Sequence, residues 1–368
     1  MGDESRIGQS WQSRLWARCF AACIAPAAPF WRPAIWLLVL FCLPLVGLPA
    51  ARSQPQAGRW ERVGALWASG EVRQIIGVPA GQRPALYVII NDWGVFCSED
   101  GGLTWQPRNR RLPVGGLGQV AAGPLALAPD APDLLLVGVS GQAAGGRPAV
   151  YKTGNGGLFW NPRRGLGTRD IEALAMGPGN AAYAASGDRL YHSADGGDTW
   201  LEAGPRPSAS PVLALAVDAA GTLYEGTAGD GLWLTSDRGA HWSSSLAGRT
   251  VRAIALSKGG RAYAAVEDGV YISADRGASW RPLSSLAARG PVAALAAAGG
   301  EPDQLCVALA DGLVQYSRDG GATWTALDGA LLGAPVTALA LDPQAPRCLY
   351  AGTGRGLWRC LLPPADEG

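Results

Sequence analysis

The sequence predicts an all-β fold, a seven-bladed β-propeller of four-stranded blades preceded by one N-terminal hydrophobic helix. Three observations point there: a short motif recurs six times, tryptophans recur at nearly even spacing, and apolar runs of strand length accompany each copy. The composition agrees. Of 368 residues, 52 are glycine and 15 tryptophan, and only 17% are charged, which suits many short strands joined by tight turns.

The motif is Ser-Glu-Asp-Gly-Gly-Leu-Thr-Trp at residues 98–105, repeated closely at 193–200 and 317–324. Weaker copies run from Ser236 to Trp242 and from Ser273 to Trp280, and a degraded copy runs from Thr153 to Trp160. The chemistry of such a turn is local. An aspartate can accept backbone N–H bonds inside the turn, a glycine supplies positive φ, and the tryptophan enters the following strand as a large core residue. Asp100, Asp195, Asp237, Asp275 and Asp319, with Trp105, Trp200, Trp242, Trp280 and Trp324, are therefore expected to be structural, with no catalytic residue among them.

The pattern S-x-D-x-G-x-T-W resembles the Asp box of the bacterial sialidase-type repeat, and the resemblance extends from about Trp60 to Cys360. One unit shows the expected blade: Val251–Leu256 as inner strand, 262–266 as second, 269–273 as third and 280–283 as outer strand. The tryptophans that open the outer strands, Trp60, Trp105, Trp160, Trp200, Trp242, Trp280 and Trp324, lie 38 to 55 residues apart. Three C-terminal strands, 336–341, 348–351 and 356–360, have no outer strand of their own. Residues 58–66 are expected to supply it, closing the ring and removing an open edge.

The domain plan follows: residues 1–32 on the cytoplasmic side, 33–51 a transmembrane anchor or signal segment, 52–57 a linker, 58–362 the propeller and 363–368 a tail. Residues 33–51 carry no charge and Ile35–Leu48 is strongly apolar, while Arg6, Arg14, Arg18 and Arg32 precede it. This places the propeller outside the cytoplasm, periplasmic or at the cell surface. The length favours an uncleaved anchor; cleavage would make the protein secreted.

The remaining composition excludes several classes. A net charge of +1 offers no field for nucleic acid. No CxxC pair occurs, so a zinc site is not expected, two histidines do not make a His-based metal site, and no cofactor is expected. Cys348 and Cys360 flank one hairpin, which permits either a disulfide or two free thiols packed in strands. His192 and His241 both belong to box surroundings, so a Ser/His/Asp arrangement cannot be assembled from them.

The boxes are turns between third and outer strands, so they share one face, and the blade-to-blade connections share the other. Two consecutive connections are basic: Arg108, Arg110 and Arg111, then Arg163, Arg164 and Arg169. Arginine's planar fork suits carboxylates and protein surfaces, so these six are the candidate partner-binding residues. A glycine-rich insertion, 141–147, is placed to cover them. Loop acids Asp92, Asp188, Asp230, Glu267, Asp268 and Asp311 repeat at similar positions and are expected to serve turns.

Over the whole propeller the chain resembles the photosystem II assembly and stability factor family, on the boxes, the blade number, the N-terminal export segment and the basic loops. The resemblance implies a non-enzymatic scaffold that binds a protein partner. The alternative is a carbohydrate-active propeller, either a sialidase-like glycoside hydrolase or a glycan-binding module; a sialidase's Arg-Ile-Pro element is not found in the propeller, and a glycosidase needs two carboxylates across a cleft.

Overall fold

The computed structural model describes residues 57–364 apart from 64–69, 80–85, 115–119, 121, 140–149, 167–169, 258, 284, 287–289, 300–301, 328, 330, 332 and 346. The expected N-terminal helix, residues 52–56 of the linker, the 141–147 insertion and Arg169 lie outside the described residues. Among those described, no helix is long and apolar enough to cross a membrane.

Seven separate four-stranded antiparallel sheets form the blades. Blade 1 comprises Val72–Gly77, Leu86–Ile90, Gly94–Ser98 and Gln106–Pro107 from the axis outward, and blades 2 to 6 repeat the order. Blade 7 takes Val336–Leu341, Cys348–Thr353 and Gly356–Leu361 from the C-terminus and Trp60–Val63 from the other end of the propeller. There Trp60 lies opposite Cys360 and Val63 opposite Leu357, so the first strand is the outer strand of the last blade. The second strands are buried along their whole length in five blades and at all but their first residue in the other two, as expected of strands covered on both faces.

The boxes explain how these sheets become a ring. In blade 3, Asp195 Oδ1 accepts the Ser193 hydroxyl at 2.7 Å and the amides of Asp198 and Thr199 at 2.9 Å each; Oδ2 accepts the Thr199 hydroxyl at 2.6 Å. The Ser193 hydroxyl oxygen in turn accepts the Gly197 amide at 2.8 Å. The fourth-blade copy starts one residue earlier than its sequence suggests. Thr235, not Ser236, supplies the hydroxyl that binds Asp237, and His241 takes the place of the usual threonine through its amide and Nδ1. In the degraded copy Asn155 substitutes for the aspartate, bonded to the Thr153 hydroxyl at 2.7 Å.

Each folded turn then seats on the preceding blade. The last glycine of every box has φ between +80° and +92°, and a Cβ there would strike that neighbour: Gly197 would place it 2.6 Å from Leu136 of blade 2, and Gly321 2.7 Å from Leu283 beside blade 5. The box tryptophans pack into the same joints. Trp160 and Trp200 are buried in the clusters between blades 1 and 2 and between blades 2 and 3, and Trp105 packs between blades 7 and 1. Trp60 occupies the equivalent place between blades 6 and 7. At the closure, Tyr350 of blade 7 donates its hydroxyl to the Gly101 carbonyl in the box of blade 1 at 2.7 Å.

The disulfide permitted by the sequence is not formed; both thiols are free. Cys348 lies opposite Leu361 and Cys360 opposite Leu349, so the pleat sends them to opposite faces of the blade. Burial pushes the Cys360 thiol up to about 12, which keeps it protonated.

Two outcomes are expected. Trp60→Ala, which removes packing at the closure without removing a strand, should cost about 3 kcal/mol in denaturant unfolding; a loss under about 0.5 kcal/mol would contradict ring closure through this residue. Burial raises the Asp319 carboxyl, but the Thr323 hydroxyl and amide and the Ser317 hydroxyl outweigh it and bring it from 3.8 to about 2. Its contribution is thus complete above the unfolded value and lost as pH falls from about 4 to about 2. The stability gap between wild type and Asp319→Asn should shrink over that interval; a constant gap would contradict this account.

Candidate functional site

The candidate arginines divide into two groups. Arg108 donates through Nε to Cys97 Sγ at 2.9 Å and through Nη2 to Glu99 at 3.4 Å, and its carbonyl accepts the Trp160 indole N–H at 2.6 Å. Arg163 pairs with Asp198 at 3.0 Å, beside Lys152, which reaches the other oxygen of that carboxylate at 2.7 Å. Glu99 and Asp198 both belong to box turns. Arg108 and Arg163 therefore point back along the outer strands toward the box face, where the sequence reading had put them on the opposite one, and they serve the blade 1–2 and blade 2–3 joints.

Arg110 and Arg111 behave differently. The Arg110 carbonyl accepts the Trp160 amide at 3.1 Å, which holds this connection against the box of blade 2. Both guanidinium groups then lie over the Phe159 ring, 4.5 and 5.5 Å from its centre, and Arg111 donates to Asn161 at 3.2 Å. Both arginines are exposed, and Leu158 beside the ring is 48% exposed. Among the described residues no carboxylate lies within ion-pairing distance of either. Arg164 is exposed close by in sequence. The structure thus brings Arg110, Arg111 and Phe159 together as a cationic and apolar strip on the outer edge of blade 2.

The loop acids are engaged in turns and joints. Asp230 accepts the hydroxyls of Ser208 and Ser210, Glu267 accepts the Thr250 amide, Asp268 pairs with Arg249, and Asp311 accepts the Leu313 amide. His192 is buried 5.9 Å from the Tyr183 ring, and burial followed by the nearby Arg238 lowers its pKa.

Two features carry no sequence signal of their own. The first is a buried ion pair: Arg206, in the connection between blades 3 and 4, donates through Nε and Nη2 to Glu225 Oε1 at 3.0 and 2.9 Å and to the Gly187 and Ser210 carbonyls. Burial pushes the Glu225 carboxyl up, and Arg206 opposes it. The second is an axial cavity of about 740 Å³ at the mouth opposite the boxes, lined by the inner strands of six blades, by Gly123 and Pro124 leading into that of blade 2, and by Asn91 and Asp92.

The comparisons match this architecture. Residues 315–326 match the BNR/Asp-box repeat. Among curated proteins, none matches the sequence. The GH74 xyloglucanase from Xanthomonas campestris is 19% identical with a TM-score of 0.65 over 82% of this chain, which spans about half (53%) of that enzyme. YCF48 bound to a D1 peptide is 17% identical with a TM-score of 0.62, covering 86% of this chain and 99% of that one. YCF48 from Cyanidioschyzon merolae is 14% identical with a TM-score of 0.60, covering 84% and 99%. At these identities the likeness is one of fold.

Arg206→Ala should cost about 3–5 kcal/mol, because it strands a buried carboxylate, and Arg206→Met with Glu225→Leu should recover much of that loss; equal losses would contradict the pairing. The described boxes, joints and repeat match make this chain a seven-bladed β-propeller of Asp-box repeats, similar in fold to both YCF48 and the GH74 propellers.

Proposed function

We propose that the chain is a non-enzymatic scaffold that docks a protein partner through Arg110, Arg111 and Phe159, held outside the cytoplasm by the apolar segment 33–51. The observation that carries this reading is the pair of exposed arginines stacked on one ring without a carboxylate of their own. Arginine and aromatic side chains dominate protein docking energetics, and stacking reduces the rotamer freedom lost on binding. YCF48, which shares the fold over its whole length, has been seen with a D1 peptide, which supports a polypeptide partner. The export side follows from the arginines that precede the apolar segment. Arg108 and Arg163 are excluded from the docking set because their guanidinium groups are spent on Glu99 and Asp198.

The rival reading is a carbohydrate-active propeller, which the likeness to the xyloglucanase keeps in view. One experiment separates the two. Affinity capture from the native membrane fraction should recover a partner with the wild type, weaken with salt, and fail with Arg110→Glu and Arg111→Glu together, while Asp195→Ala retains capture in whatever fraction folds. Undiminished capture by the charge-reversed protein, or hydrolysis of a glycan by the wild type, would overturn the scaffold reading.

A further inference from the structure

The inner strands hold a second feature that the docking strip does not use. In five blades the pairing of inner and second strands skips one residue at the same place: Arg73, Leu213, Arg252, Ala293 and Thr337 each fall in a β-bulge, between Val72 and Gln74 in the first case and Val251 and Ala253 in the third. A bulge leaves its extra residue outside the ladder and re-aims the side chain. Here all five line the axial cavity, together with Gly123 and Glu172 from the two remaining blades.

These ring positions differ in what they leave available. Glu172 is committed, because its two oxygens accept the Gly187 amide at 3.0 Å and the Val212 amide at 3.1 Å. The Thr337 hydroxyl donates to the Val72 carbonyl of blade 1. Arg73 approaches Glu71 at 3.9 Å. Arg252 has no carboxylate within ion-pairing distance among the described residues, and Leu213, on the adjacent blade, is 41% exposed. An available guanidinium therefore stands beside an exposed apolar side chain at the rim of a 740 Å³ cavity.

The walls decide what fits. Below the ring Ala173, Ala214, Ala253, Ala294 and Ala338 line the cavity together with the apolar residue that follows each of them, such as Leu215 and Ile254, so the wall is apolar and leaves room only for a slim ligand. Among the described residues no aromatic side chain lines the cavity, so none of them offers a platform on which a sugar ring would stack. Asp92, Asp170 and Glu172 lie around the same mouth as Arg73 and Arg252, so a polyanion would meet as much repulsion as attraction. We infer that this mouth is a binding site for an extended, small-residue polypeptide segment carrying one carboxylate side chain, which pairs with Arg252 while its apolar neighbour rests on Leu213. This is a site distinct from the strip on blade 2, and neither depends on the other.

The test uses the full chain and two blocked, fluorescent pentapeptides, Ala-Ala-Glu-Ala-Ala and the same sequence with Gln at the centre, read by anisotropy. The Glu peptide should bind at least about tenfold more tightly than the Gln peptide, the size of a lost charge-assisted pair. Arg252→Gln should abolish that preference without lowering the melting temperature, since Arg252 is exposed. Leu213→Ala should weaken both peptides alike, and Arg110→Glu with Arg111→Glu should change neither. Equal affinity for the two peptides, a preference that survives Arg252→Gln, loss of binding with the Arg110 and Arg111 changes, or no binding up to about 10 mM peptide, would each overturn the inference.

Discussion

The interaction on which the rest depends is the seating of each box turn against the blade before it. A sheet of four short strands cannot bury both its faces alone, and the box supplies the fitted surface that lets one blade cover the next. The carboxylate first fixes the turn from within, as Asp195 does with the Ser193 and Thr199 hydroxyls and two amides. Only then can a glycine at φ near +87° bring the backbone against Leu136. Because the second step needs the first, losing the aspartate affects two blades.

This division of labour leaves little of the chain free for binding. Conserving the joints uses the boxes, and pinning the loops uses Asp230, Glu267, Asp268 and Glu172. Among the described residues, Arg110 and Arg111 outside and Arg252 at the axis are exposed cations with no carboxylate within ion-pairing distance. Fold alone does not choose among functions, since a xyloglucanase and a peptide-bound YCF48 both share it. What favours a polypeptide partner is the set of side chains that the fold does not consume.

The blade number, the four-strand order and the closing role of Trp60 were legible because the box is a contiguous motif and its tryptophan returns once per blade. The fifth blade shows how far this reaches, with observed strands at Val251–Leu256, Ala262–Val266 and Gly269–Ser273 where the sequence placed them. What the sequence did not carry depends on register or on partners distant in the chain. Cys348 and Cys360 look like neighbours until the pairing puts Leu361 and Leu349 opposite them. Arg108 and Arg163 look like loop charges until the outer strands turn their side chains to Glu99 and Asp198. The Arg206–Glu225 pair joins residues that no motif relates, and the bulges that present Arg73 and Arg252 leave alternation in the sequence almost undisturbed.

The claim that a box is a joint between blades, and not a staple within one, is tested most directly by a double-mutant cycle of Gly197→Ala and Leu136→Ala, residues of blades 3 and 2. The strain of placing alanine at positive φ is common to both backgrounds and cancels, so the cycle isolates the contact across the joint. The account predicts that Gly197→Ala costs at least about 1 kcal/mol less when Leu136 is already alanine. Additive losses, within about 0.3 kcal/mol, would contradict it.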